Sequence, residues 1–183
     1  RIDKDTSGCL LLAKDRETTA KMHALLRTQE ITKMYKLCVW GIWPEEIKTV
    51  SVPLNKIMTK SGESKMQVDM KDGQAAITKF RVEEVYPCAS LLNALLVTGK
   101  THQIRLHAEH HNCPIIADKK YGDYAINNYL AKQDINNLML HAWQVKFIHP
   151  VTAQPTTITA AVSKEFRQQL KAIRNLKLDA GYK

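Results

Sequence analysis

Residues 75–112 read AAITKFRVEEVYPCASLLNALLVTGKTHQIRLHAEHHN, and this stretch decides the fold class. Residues 75–86 and 90–97 are runs rich in Val, Ile, Leu and Phe, parted by the short Pro87-Cys88-Ala89 connection, and they read as two hairpin-linked strands. A Gly99 turn follows, and the chain then reads as a helix that ends before Pro114. Strand, strand, turn, helix is the grammar of an antiparallel sheet covered by helices, not of alternating parallel βαβ units.

The pattern continues in both directions. Upstream, KMQVDM (65–70) alternates, with Met66, Val68 and Met70 on one side, and KDG (71–73) marks a hairpin turn. Pro53 and TKSGES (59–64) mark further turns. Residues 32–41 alternate so that Tyr35, Leu37 and Val39 share a strand face. Asp15 is placed to cap a helix over about 16–28, where Met22, Leu25 and Leu26 fall at helical spacing. Cys9–Ala13 reads as a short buried strand, and the charges just before it (Arg1, Asp3, Lys4 and Asp5) end up at its mouth. Downstream, NNYLAKQDINN (127–137) reads as a polar connection. Residues 138–150 and 155–162 read as two more strands, and Ser163 caps a last helix through about Ile173. The sum is an α+β domain with a largely antiparallel mixed sheet of about seven or eight strands, flanked by about three helices. No repeat, linker or low-complexity segment divides residues 1–183.

Composition narrows the function classes. The 183 residues, 44% hydrophobic and 25% charged, suit one globular domain. No run approaches the roughly 18 apolar residues of a membrane span, so no membrane partner is expected. The formal charge of +9 points to a polyanionic partner, nucleic acid above all. Cys9, Cys38, Cys88 and Cys113 lie far apart and form no C-x-x-C pair, as expected for reduced thiols of a cytoplasmic protein.

The densest polar segment is TGKTHQIRLHAEHH (98–111). His107 and His111 are i, i+4 neighbours, but H-E-x-x-H is absent and no third ligand is evident. A zinc deaminase would need H-x-E followed by P-C-x-x-C. Here His107-Ala108-Glu109 comes after Pro87-Cys88, whose partner position is Ser90, so no metal is expected. Gly99, Lys100, Thr101 and the helix N-terminus offer amide donors suited to a phosphate. Arg105 stands between Ile104 and Leu106. A guanidinium buried there requires a carboxylate, and Asp3 and Asp5 are the candidates.

RIDKDTSG, TKMYKLCVWG, TGKTHQIRLH, PIIADKKYGD and LMLHAWQVKFIHP occur here in the order found in the RluA-type pseudouridine synthases. The chain most resembles the RluC/RluD-like enzymes of large-subunit (23S) ribosomal RNA, and the match covers about residues 1–162. The resemblance implies the pseudouridine synthase catalytic fold. It implies an isomerase that converts specific uridines to pseudouridine without cofactor or metal, acts on ribosomal RNA in the cytoplasm and is expected to be a monomer. It assigns Asp3 as the catalytic carboxylate and Tyr35 as the tyrosine that stacks on the uracil and assists proton removal. Arg105 becomes the partner of that carboxylate, and Leu140 the apolar contact on the base's other side. Arg1, Lys100, Thr101, His102, Gln103, Lys119 and Lys120 fall in the same motifs and are expected to bind the RNA. Lys100 stands where many members have Arg, which keeps the charge but not the bidentate geometry. The family's first motif begins one residue before Arg1, so residues 1–183 are expected to be an N-terminally truncated catalytic domain, without upstream strands and an S4-type RNA-binding domain. Two alternatives stay open: a tRNA or dual-specificity enzyme of the same family, and a catalytically silent RNA-binding or ribosome-assembly module.

Overall fold

The computed structural model describes residues 1–58, 62 and 64–176. The stretch 75–112 forms β6 (Ile77–Tyr86), β7 (Ala89–Leu96) and α2 (Gln103–His110). Around them lie β1 (Ser7–Gly8), α1 (Arg16–Arg27), β2 (Thr32–Trp40), β3 (Thr49–Ser51), β4 (Leu54–Met58) and β5 (Ser64–Val68) before, and α3 (Tyr124–Ala131), β8 (Leu140–Ile148), β9 (Pro155–Thr159) and α4 (Lys164–Arg174) after. Seven strands form one sheet in the order β1-β8-β2-β7-β6-β3, with β9 also paired to β8. Every pairing in it is antiparallel except β1 with β8. β4 and β5 form a separate hairpin. The fold is the α+β architecture the sequence predicts.

The apolar residues of the central strands build the core. Leu37 and Val39 of β2, Leu92 of β7 and Ile104 of α2 are all buried and belong to one cluster, which also includes Ile115, Leu130 and Met139. The helix caps follow their sequence cues. Asp15 Oδ1 accepts from Thr18 N at 2.7 Å, and Ser163 Oγ from Phe166 N at 3.1 Å. Gln103 opens α2 and fastens it to the sheet. Its amide donates to Ile77 O and Thr78 Oγ1 and accepts from Thr98 Oγ1 and Lys100 N.

Three local expectations are corrected. Cys9–Ala13 is not a buried strand: only Ser7 and Gly8 pair with β8, and Leu10 and Leu12 are 51% and 83% exposed. The edge of β8 beyond Ala142 is already taken by β9, so the chain has no free edge to join. Residues 127–137 are not a mere connection, because 124–131 form α3. Asp123 caps it, and Ile126, Tyr129 and Leu130 turn inward at helical spacing. The two asparagines mask this pattern by their weak helix propensity. The 65–70 strand stops at Val68, because Asp69 Oδ1 accepts from Lys71 N and Asp72 N and turns the chain, leaving Met70 exposed. The TKSGES turn lies, apart from Gly62 and Ser64, outside the described residues.

His107 is a core residue. It is 0% exposed, with Nδ1 at 3.0 Å from Thr78 Oγ1 and Nε2 at 2.9 Å from Val52 O. Both ring nitrogens are thus engaged within the protein, which accounts for this histidine without a metal. Burial pushes its pKa down to about 4, outweighing the Val52 carbonyl. Between the ordinary 6.5 and about 4, the unfolded chain takes up a proton that folded His107 refuses. Stability should therefore fall as pH drops through that window, at up to about 1.4 kcal/mol per pH unit from this residue. Denaturant titrations from pH 7 to pH 4 should show that slope, and His107→Gln should flatten it.

Candidate active site

The N-terminal segment is held against β8 by close backbone contact. Gly8 has φ +105°, and a Cβ there would lie 2.2 Å from Ala142 O, so no larger residue fits. Cys9 N donates to Ala142 O at 2.8 Å. His141 Nε2 lies 3.2 Å from Ala160 O, a pure acceptor, so Nε2 carries the proton and Nδ1 accepts from Ser7 Oγ at 2.9 Å. This clamp, with the turn in which Thr6 N donates to Asp3 O, sets Asp3 at the mouth of the sheet.

Asp3 there meets Arg105 of α2. Arg105 Nη1 lies 3.4 Å from Asp3 Oδ2, a long contact. The close partner is Asp118: Nε donates to Oδ2 and Nη2 to Oδ1, both at 2.7 Å. Asp118 is 1% exposed and also accepts from Lys120 N and Tyr121 N. Burial alone would raise its pKa, but Arg105 and those amides hold it below the usual carboxylate range. Burial likewise opposes the charge on Arg105, and Asp118, then Asp3, more than restore it. The Tyr121 ring covers the guanidinium, with Arg105 Cζ 4.9 Å from its centroid. Asp118 and Tyr121 are the site residues that reasoning from Arg105 missed. The cue was a lone Asp after Ile115-Ile116-Ala117, an apolar run that carries it into the core. Asp5 is exposed and does not line the cleft.

These groups open onto a cleft of about 810 Å³. Tyr35 and Leu140 line it as neighbours, because Tyr35 pairs with Ala142 and Leu37 with Leu140 in the β2–β8 register. Burial, reinforced by the Asp3 charge, pushes the Tyr35 phenol up to about 12, so it carries its proton at neutral pH. His102 lines the cleft too. It stands before α2 in the left-handed region, φ 56° and ψ 20°, a conformation that costs a residue with a Cβ about 1–3 kcal/mol. Its Nδ1 is 2.7 Å from Tyr121 Oη. Burial pushes the Tyr121 phenol up to about 12, so it keeps its proton at neutral pH.

Arg1, Lys100, Thr101 and Gln103 also line the cleft. Lys100 Nζ donates to Gln74 Oε1 at 2.8 Å. The Gln103 amide, with all four hydrogen-bonding positions used inside the protein, acts on the site by holding α2. Lys119 and Lys120 are exposed on the Asp118 turn and are not among the lining residues. Among those residues Asp3 is the sole carboxylate, against Arg1, Lys4, Arg27, Lys33, Lys100 and Arg105.

Comparison with known proteins identifies the family. The sequence profile of the RNA pseudouridylate synthase family matches residues 1–110, and the chain belongs to that family. It is 39% identical over 177 residues to ribosomal large subunit pseudouridine synthase C of Escherichia coli, covering 96% of this chain and 55% of that protein. It is 40% identical over 174 residues to the protein of the same name from Haemophilus ducreyi, covering 95% and 54%. The chain thus spans about half the length of these curated relatives. Its fold is that of human RNA pseudouridylate synthase domain containing 4, with a TM-score of 0.74 at 22% identity, covering 95% of this chain and 74% of that one.

Asp118→Asn should leave Arg105 buried without its full counter-charge, at a cost of roughly 3 kcal/mol or more. Thermal denaturation at pH 7 should register this as a fall of about 6 to 12 °C. Asp5→Asn, in the exposed part of the same N-terminal segment, should leave the melting temperature unchanged.

Proposed function

We propose that this chain carries the catalytic centre of an RNA pseudouridine synthase, with large-subunit ribosomal RNA in the cytoplasm as its substrate. The observation that carries the reading is the cleft's composition. One carboxylate, ion-paired to a buried arginine, shares a cleft with a tyrosine and a leucine, and the other charged residues that line it are cations. The ribosomal substrate is supported by the names of the relatives that align over nearly the whole chain.

The chemistry fits those groups. Converting uridine to pseudouridine breaks the bond from N1 to the sugar carbon, forms one from C5 to the same carbon, and moves a proton from C5 to N1. Nothing is gained or lost, so no co-reactant is needed. The uridine leaves its stack and enters the cleft, where the Tyr35 ring and Leu140 hold the two sides of the base. Asp3 supplies the negative charge that the reaction uses as the bond from N1 to the sugar carbon breaks. Arg105 ion-pairs with that carboxylate and orients it toward the cleft. Tyr35 is protonated at neutral pH and can donate a hydrogen bond within the cleft.

Asp3→Asn should abolish pseudouridine formation in large-subunit ribosomal RNA while leaving folding and RNA affinity close to wild type. Asp5→Asn should remain active. Pseudouridine mapping of RNA from a deletion strain, complemented with each form of the complete gene, reads both outcomes. Equal loss in the two folded variants would sink the assignment of Asp3. Mapping that finds the missing pseudouridine in tRNA instead would move the substrate.

A further inference from the structure

The Lys33 ammonium lines the cleft, and no function considered so far uses it. Lys33 is two residues before Tyr35 on β2, on the same face and about 7 Å along the strand. Its register partners are Leu96 and Val145, both apolar. Three other lysines have side-chain partners: Lys36 is paired with Glu83, Lys21 with Glu17, and Lys100 donates to Gln74. Lys33 has no ion pair or hydrogen bond among the described residues. An ammonium half-buried among apolar neighbours without a counter-charge is unfavourable in the free protein, and burial lowers its proton affinity accordingly.

Gly99 provides a second, independent observation. Its φ lies outside the left-handed region, so the turn it occupies does not demand glycine. A Cβ on Gly99 would lie 2.9 Å from Lys33 Nζ, closer than such atoms approach. The missing side chain makes room for the lysine head at the cleft wall. A Cβ there would make only the flexible lysine tip shift, so the feature that marks Lys33 is its half-buried charged head at the cleft wall with no partner among the described residues, a group suited to an anion. Beside a cleft that takes a nucleotide, that anion is a backbone phosphate, which a compact ammonium binds as a point charge.

We propose that Lys33 is a phosphate-binding residue of the cleft, gripping one backbone phosphate next to the target uridine while the base lies against Tyr35. The inference rests on the reading of this chain as an RNA pseudouridine synthase. It gives the Lys-x-Tyr segment a two-part role, in which the tyrosine holds the base and the lysine holds the strand.

The test uses the full protein and a synthetic RNA hairpin carrying a mapped target uridine. In Lys33→Met, the slope of log affinity against log salt should shrink by about 0.7–0.9, the release of one counterion, whereas Lys33→Arg should keep it. Single neutral methylphosphonate substitutions should reveal one position that weakens wild-type binding but not Lys33→Met binding. KM should rise in Lys33→Met with kcat close to wild type. Gly99→Ala, which displaces the ammonium without removing it, should weaken binding at unchanged net charge. Lys33→Met should also raise the melting temperature, since it removes an unpaired charge, so loss of fold will not mimic loss of binding. An active wild-type enzyme with identical salt slopes and methylphosphonate profiles in wild type and Lys33→Met would overturn the role of Lys33 alone. A wild-type protein that forms pseudouridine in no RNA would overturn the functional reading, and this inference with it.

Discussion

The site depends on burying the Arg105 guanidinium. An arginine at 9% exposure is tolerable only when its donors are met, and three elements converge to meet them. Asp118 takes two donors at 2.7 Å from the loop after α2, Asp3 takes a third at long range from the N-terminal segment, and the Tyr121 ring covers the face. The hierarchy of distances matters. Asp118 neutralises the arginine structurally, so Asp3 is oriented by the pair without being tied down in it. A carboxylate held at 3.4 Å and partly open to the cleft keeps lone pairs for a ligand.

That arrangement requires the start of α2 to be held in place, and the surrounding residues accept unfavourable local geometry to do it. Gln103 uses its whole amide to pin the helix to β6 and to the preceding turn. His102 adopts a left-handed conformation that glycine would accept more easily, and its Nδ1 meets Tyr121 Oη. A strained residue between the anchor and the cleft, wired through Tyr121 to the group covering Arg105, is the local rule-breaking expected at functional sites. On the other wall Gly8 lets β1 approach Ala142 closely enough to carry Asp3 to the same point.

The regular elements were legible because their determinants are local. Alternation placed β2, runs rich in Val, Ile, Leu and Phe placed β6 and β7, and the caps Asp15 and Ser163 placed α1 and α4. The misreadings share one cause, which is competition that no local pattern encodes. Cys9–Ala13 has the composition of a strand, but β9 had taken the edge it needed. Residues 127–137 look polar, yet Tyr129, Leu130 and Ile135 found a core to face.

The sequence by itself determined the fold class, the family resemblance and the identities of Asp3, Tyr35, Arg105 and Leu140, because ordered motifs and hydrophobic periods are properties of the chain. It also determined the surplus of positive charge. Only the tertiary structure decided what those residues do to one another. Asp118 became the closest partner of Arg105, Lys119 and Lys120 fell outside the cleft lining, and Lys33 came to lie across Gly99 without a counter-ion. Each of these outcomes joins residues separated by 13 or more positions, or keeps apart residues that share a motif. Electrostatic partnership depends on distance and burial in three dimensions, and spacing along the chain carries neither.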